Sequence, residues 1–243
     1  MIASVLRSPI IRFEHRRSDA PFAHCVWESE SYRGGHFSSV AYPQSELVVT
    51  HLDGAVTVSL RGPETHATRA WCPPSGSWVG IRFRRGVRLT ALDLATGVDG
   101  GTTLPSSGNE RFVMAGDTWE VPTAENADVF VAKLVRAGLL VRDPLVSDVL
   151  SGALVREDVR TVQRRFLRAT GLSRQAIGGI ERAHAATFML RRGESILDTV
   201  AALGFADQPH LTRTLKRLVG VTPAQLASDD SLQLSFMPPL ESG

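Results

Sequence analysis

The chain has 243 residues, 43% of them hydrophobic and 21% charged, the balance of a globular protein rather than a disordered one. No apolar run approaches the roughly 18 residues a membrane helix needs. The amino-terminal stretch, with Arg7 and Arg12 set among its apolar residues, does not read as a signal peptide. Only Cys25 and Cys72 occur, which argues against a disulfide framework and for a reducing, cytoplasmic setting. The net charge of +2 conceals an asymmetry: positions 153–228 hold twelve Lys or Arg against six Asp or Glu, leaving 15 basic and 19 acidic residues elsewhere. A basic C-terminal third on an acidic body points to one module that meets a polyanion and one that does not.

In chain order, the first half is a series of short apolar runs broken by Gly, Pro and Ser. Leu47–Thr50, Ala55–Leu60 and Trp78–Phe83 read as strands, the last two with partial alternation. Asp53-Gly54 is a hairpin turn signal and Pro73-Pro74-Ser75-Gly76 a wider loop. Residues 1–121 are therefore expected to form an antiparallel β-barrel or sandwich, cupin-like, in an α+β chain. After Pro122 the period changes. Asn126–Leu140 reads as an amphipathic helix with Val129, Phe130, Leu134 and Val135 inward and Gly138 as its stop. Residues 122–152 form a helical bridge, ending in a poorly marked short helix at Asp148–Gly152. Almost everything from there to Ala227 is helical in period, and 229–243 is expected to be a frayed tail.

Two helices stand out within 153–228. Asp158 can cap a helix whose inward stripe is Val159, Val162 and Phe166, with Gly171 at its end; Arg160, Arg164 and Arg168 then fall on the opposite side. Asp207 can cap a second one, with Pro209 in its first turn, Leu211, Leu215 and Leu218 inward, and His210, Arg213 and Arg217 outward, ended by Gly220. A short helix at Ser195–Leu203, with Ile196, Val200 and Leu203 inward, and a turn at Gly204-Phe205 precede it. Short helix, glycine turn and capped basic helix are the layout of a helix-turn-helix unit. A long helix over Arg174–Arg191 joins the two halves. The major groove admits one such helix, and Gln, Arg and Thr side chains near its N-terminus can distinguish base pairs while outlying cations meet phosphates.

The residues themselves resemble a known family. Arg160-Thr161-Val162-Gln163-Arg164-Arg165-Phe166 followed by Thr170-Gly171-Leu172-Ser173, then Arg182 with Ala186 and Leu190, resemble the first unit and linker helix of the AraC family of transcription regulators. Ser195-Ile196, Val200-Ala201, Leu203-Gly204-Phe205, Leu211-Thr212-Arg213 with Lys216, and Gly220-Val221-Thr222-Pro223 resemble its second unit. The likeness runs from Leu154 to Leu226 and implies two helix-turn-helix units in successive major-groove segments of double-stranded DNA. The base readers expected are Gln208, His210, Thr212 and Arg213, with Arg160, Thr161 and Arg164 in the first unit. Arg165, Arg168, Lys216 and Arg217 are expected on phosphates. Val79–Gly86, Trp119-Glu120 and Asn126-Ala127-Asp128 are similar to an uncharacterised barrel-like domain that precedes some AraC-type domains, which implies a sensory or pairing role. A small-molecule effector and RNA polymerase are the further partners expected, for a monomer or homodimer away from membranes.

Other chemistry is weakly represented. The seven histidines lack metal-ligand spacing, neither cysteine lies in a Cys-x-x-Cys motif, and no phosphate loop or nucleophile elbow occurs. No metal, cofactor or catalytic residue is therefore expected. The competing reading is an enzyme or small-molecule carrier built on the N-terminal barrel.

Overall fold

The computed structural model describes residues 9–154, 156–229 and 231–237. Its N-terminal part is β1 (Ile11–Arg17), β2 (Ala23–Ser31), β3 (Gly35–Ser39), β4 (Glu46–Leu52), β5 (Ala55–Arg61), β6 (Thr68–Cys72), β7 (Gly76–Phe83), β8 (Val87–Leu89), α1 (Leu94–Gly97), β9 (Gly101–Thr103), β10 (Arg111–Met114) and β11 (Asp117–Glu120). It continues through α2 (Ala127–Arg136), β12 (Leu140–Arg142), α3 (Pro144–Ser151), α4 (Val159–Thr170), α5 (Arg174–Arg191), α6 (Ile196–Ala202), α7 (Gln208–Leu218) and α8 (Pro223–Ser228). A sheet-rich region is thus followed by a helical one, the α+β arrangement expected.

Six strands form one antiparallel sheet in the order β1-β2-β7-β4-β5-β9, and β3 pairs with β6 as a separate layer. The sheets do not close on themselves, so of the barrel and the sandwich it is the sandwich that forms. The Asp53-Gly54 turn connects β4 to β5 with both residues at positive φ (51° and 76°), a primed hairpin turn whose twist suits the strands it joins. Period-two alternation divides the large sheet. Leu47, Val49, Val58, Leu60 and Ile81 face a core completed by Phe112, Phe130 and Leu134, whereas Trp27 and Val48 face the other way, with Phe13 and Trp78 packed beside them. Gly80 lies opposite Trp27, and any Cβ there would overlap the indole ring. That glycine lets Trp27 lie flat across the neighbouring strand.

The expected bridge over 122–152 serves two cores. Ala127, Phe130, Val131 and Leu134 of α2, with Leu140, belong to the sheet core, while Leu145, Val146 and Val149 of α3 belong to the helical one. Packing corrects three expectations. Val129 points outward at 56% exposure and Val131 takes its place. Leu140–Arg142 is a strand paired with β8, three residues being too few to show a period. The tail is not frayed over its first part: Leu234, Phe236 and Met237 are buried, and Leu234 bridges to Ser38. Pro238-Pro239 and the rest of the tail lie outside the described residues.

The two regions are joined by intimate contacts. Val40 and Ala41, after β3, are fully buried within the helical core beside Leu211, Leu215 and Val219. At the end of α7, Ala67 N donates to Arg217 O (2.7 Å), Ala41 N to Leu218 O (2.9 Å) and Ser38 Oγ to Val219 O (2.7 Å). His184 of α5 donates Nε2–H to Ala41 O (2.8 Å) and packs its ring on Tyr42 and Phe236. Arg85 pairs with Glu181 across the same seam. Gly220 has φ +87°, and a Cβ there would overlap Ser38 Oγ, so Gly220→Ala should lower stability by about 1–3 kcal/mol. In thermal melts, Ser38→Gly, which also removes the hydrogen bond to Val219 O, should cost less in the Gly220→Ala background than alone, the difference being the recovered overlap and not the part due to φ. No recovery would mean that the contact is unimportant.

Burial of His184, with a smaller push from Arg82 and against the effect of the Ala41 hydrogen bond, lowers its pKa to about 4. The folded chain therefore resists a proton that the unfolded chain accepts near pH 6.5. Its contribution is complete above that pH and is lost as the pH falls towards 4, by up to ~3 kcal/mol. His184→Gln, which can still donate to Ala41 O, should flatten the melting temperature between about pH 7 and 4; an unchanged slope would remove His184 as its source.

Candidate nucleic-acid interface and the cavity behind it

The last unit is built as local chemistry dictates. Ser195 caps α6, its Oγ accepting from Asp198 N (3.0 Å), and Ile196, Val200 and Leu203 pack against the helical core. Gly204 turns the chain at φ +66°. Phe205 is buried and meets the His210 ring edge-on at 5.3 Å. Asp207 then caps α7, accepting from His210 N (2.6 Å), with Pro209 in the first turn. Leu211, Leu215 and Leu218 are buried at 0%, 0% and 1% exposure, leaving Gln208, Arg213, Lys216 and Arg217 exposed. Two expected base readers are partly committed elsewhere: His210 Nδ1 accepts from Ala206 N (3.3 Å), and Thr212 Oγ1 donates to Gln208 O (2.9 Å). The Thr212 hydroxyl keeps its acceptor lone pair for an outside donor.

The first half is less regular. Asp158 caps α4 by accepting from Thr161 N (2.9 Å), and Gly171 ends it at φ +73°. Phe166, Ala169 and Thr170 are buried, but Val159, expected inward, is 71% exposed. Arg160, Arg164 and Arg168 are exposed and Thr161 is half-buried. The preceding helix is longer than its sequence advertised: Asp143 caps α3 through Leu145 N (3.0 Å), and Gly152 closes it with a left-handed residue.

Arg165 departs from expectation. Its Nε and terminal nitrogen grip the two oxygens of Asp143 at 3.1 and 2.6 Å, so the side chain ties α4 to the cap of α3 instead of standing free for phosphate. The remaining cations of α4 and α7, namely Arg160, Arg164, Arg168, Arg213, Lys216 and Arg217, have no ion pair among the described residues.

Residues 156–229 match the family model of a helix-turn-helix domain. This segment is an AraC-type helix-turn-helix domain. A domain of this type supports DNA-binding transcription regulation. The matched span runs from before α4 through α8 and leaves α3 outside. No curated protein sequence matches the chain. Among solved structures, ToxT from Vibrio cholerae aligns over 88% of this chain and 97% of its own, at 10% identity and a TM-score of 0.39. ToxT bound to (E)-4-(8-methylnaphthalen-1-yl)but-3-enoic acid aligns over 88% and 98%, at 10% identity and 0.40. Unsaturated fatty acid-bound ToxT aligns over 89% and 94%, at 10% identity and 0.34.

Behind the AraC-type domain, the second face of the large sheet and the β3–β6 layer enclose a cavity of about 350 Å³, whose lining includes Ser235 and Met237 of the returning tail. Glu46 and Arg82 form a buried pair within it, 2.9 Å apart, and Trp27 Nε1 donates to the same carboxylate (3.0 Å). The Arg82 guanidinium stacks over Tyr42 at 3.5 Å. Burial works against its charge, but Glu46 and Tyr42 outweigh that and push its pKa up. Sequence reasoning gave no residue of this cavity a ligand-binding role. Arg82, inside the apolar run Val79–Phe83, was the one available signal, since a charge at an inward strand position needs a buried partner. Among the described residues no group of His, Cys, Asp and Glu could hold a metal ion, and no helix is long and apolar enough to cross a membrane.

Arg165→Ala should lower stability by about 1–2 kcal/mol through loss of the two-point grip, with no change in the salt dependence of DNA binding. A shallower salt slope at unchanged melting temperature would return Arg165 to a phosphate role.

Proposed function

We propose that the protein is a sequence-specific double-stranded DNA-binding transcription regulator that uses two helix-turn-helix units, α3–α4 and α6–α7, in successive major-groove segments. One observation carries this reading: α4 packs inward through Val162, Phe166 and Ala169 and α7 through Leu211, Leu215 and Leu218, and every cation of the two helices except Arg165 is exposed with no ion pair among the described residues. Unpaired cations clustered on one element keep their full attraction for a polyanion. Gln208, His210, Thr212 and Arg213 at the start of α7 are the proposed base readers, and Arg160, Thr161 and Arg164 their counterparts on α4. Arg168, Lys216 and Arg217, nearer the helix ends, are proposed to meet phosphates.

The cavity is proposed to hold a small-molecule effector. Support comes from its position: Ser39, Val40 and Thr68 line it, and their chain neighbours Ser38, Ala41 and Ala67 hold the carbonyls at the end of α7. A ligand that shifts β3 or β6 by a fraction of an ångström would shift the donors on which the recognition helix ends. The two states would then differ in how α7 sits, and a ligand binding one state better would move the population towards it.

Arg213→Ala should cost about 1–3 kcal/mol in specific binding and relax preference at one base pair. Arg168→Ala should weaken all duplexes alike and reduce the slope of log K against log salt by about one. Both are read by mobility-shift titration on duplexes selected from genomic DNA. Absence of retardation for any duplex at low salt would overturn the reading.

A further inference from the structure

The cavity between the large sheet and the β3–β6 layer contains more charge than packing two layers requires. Its one buried cation, Arg82, is fully engaged by Glu46 and Tyr42. Glu64 supplies a second carboxyl: it accepts from Tyr42 N at 3.2 Å and has no ion pair among the described residues. The other cation lining the cavity, Arg61, is exposed, where water screens it. Two carboxyls therefore share one committed guanidinium. Burial first, and then the neighbouring Glu46 charge, push Glu64 up to about 7 against the Tyr42 amide, Arg82 and Arg61.

The walls complete the chemistry. Phe13, Trp27, Phe37, Trp71 and Trp78 all line the space, and Phe13 sits 6.0 and 6.3 Å from the rings of Trp27 and Phe37. Aromatic faces attract cations, most strongly when the cation is desolvated. An anion entering here would meet those faces and Glu64; a neutral molecule would leave the carboxyl with the Tyr42 amide and no countercharge of its own. Trp71, 60% exposed, stands at the rim.

We propose that this cavity takes an organic cation, with the ammonium group held by Glu64 and the aromatic walls and an apolar body filling the remaining volume. The proposal rests on the effector reading above and specifies its ligand class.

Calorimetric titration of the full chain with choline, benzyltrimethylammonium, 3,3-dimethylbutan-1-ol (the uncharged counterpart of choline) and octanoate tests it. Both cations should bind at least about tenfold more tightly than the alcohol, with octanoate weaker still. Glu64→Gln should abolish the advantage of choline over the alcohol while leaving alcohol binding unchanged. Choline affinity should rise with pH through about 7, since its charge is permanent and only the ionised Glu64 attracts it. Tyr42, Glu46, Arg61 and Arg82 face the same carboxyl. Trp71→Ala, at the exposed rim, should weaken benzyltrimethylammonium several-fold and keeps the test available if Glu64→Gln does not fold. Octanoate or the alcohol binding as tightly as the cations, or a cation preference surviving Glu64→Gln, would overturn the ligand class and leave an effector site standing. No binding of any of the four at millimolar concentration would overturn both.

Discussion

The final turn of α7 ends in carbonyls that no residue of its own helix can satisfy, as every helix end does. Here the partners come from far away in sequence: the Ala67 and Ala41 amides and the Ser38 hydroxyl, all from the sheet region. The rest of the molecule is built around these donors. Val40 and Ala41 enter the helical core to make the contact possible, Gly220 lacks a side chain where Ser38 approaches, and the segment after Asp229 returns to pair with Ser38 and cover Tyr42. Helix α7 is therefore oriented from its C-terminal end by another region, while its N-terminal end is left to solvent.

This arrangement relates the cavity to the helix without any long route. β3 and β6 line the cavity on one side and, one or two residues further on, hold the end of α7. A packed layer of this kind has few intermediate positions, because shifting it breaks hydrogen bonds rather than stretching them. The buried Glu46–Arg82 pair and Tyr42 form the fixed side of the cavity. Removing either charge would leave the other uncompensated in an apolar wall, so this side is expected to stay in place whatever occupies the space.

Much of the C-terminal domain is legible in the sequence because its signals are local. Asp158 and Asp207 cap helices, Gly171 and Gly220 end them, and leucines three and four apart mark the buried stripe of α7; all are decided within a few residues. Arg165 defeats sequence reasoning for the same reason. Its outward-looking position on α4 is visible in sequence, but Asp143, 22 positions earlier, is not visible as its partner. Val159 reads as inward because a period says which residues share a face, not which of them a neighbour covers.

By itself the sequence determined the helical units, their caps, the hairpin at Asp53-Gly54 and the division into a sheet region and a basic helical region. Each follows from backbone preference or from the spacing of apolar side chains along one segment. Only the tertiary structure decided that the strands form an open sandwich, that the tail through Met237 is packed, and that Glu46, Glu64, Arg82 and six aromatic rings surround one cavity. Those outcomes depend on which distant segments meet. Hydrophobic burial favours such meetings but does not specify their partners, and hydrogen bonds between remote groups leave no spacing in the chain from which they could be read.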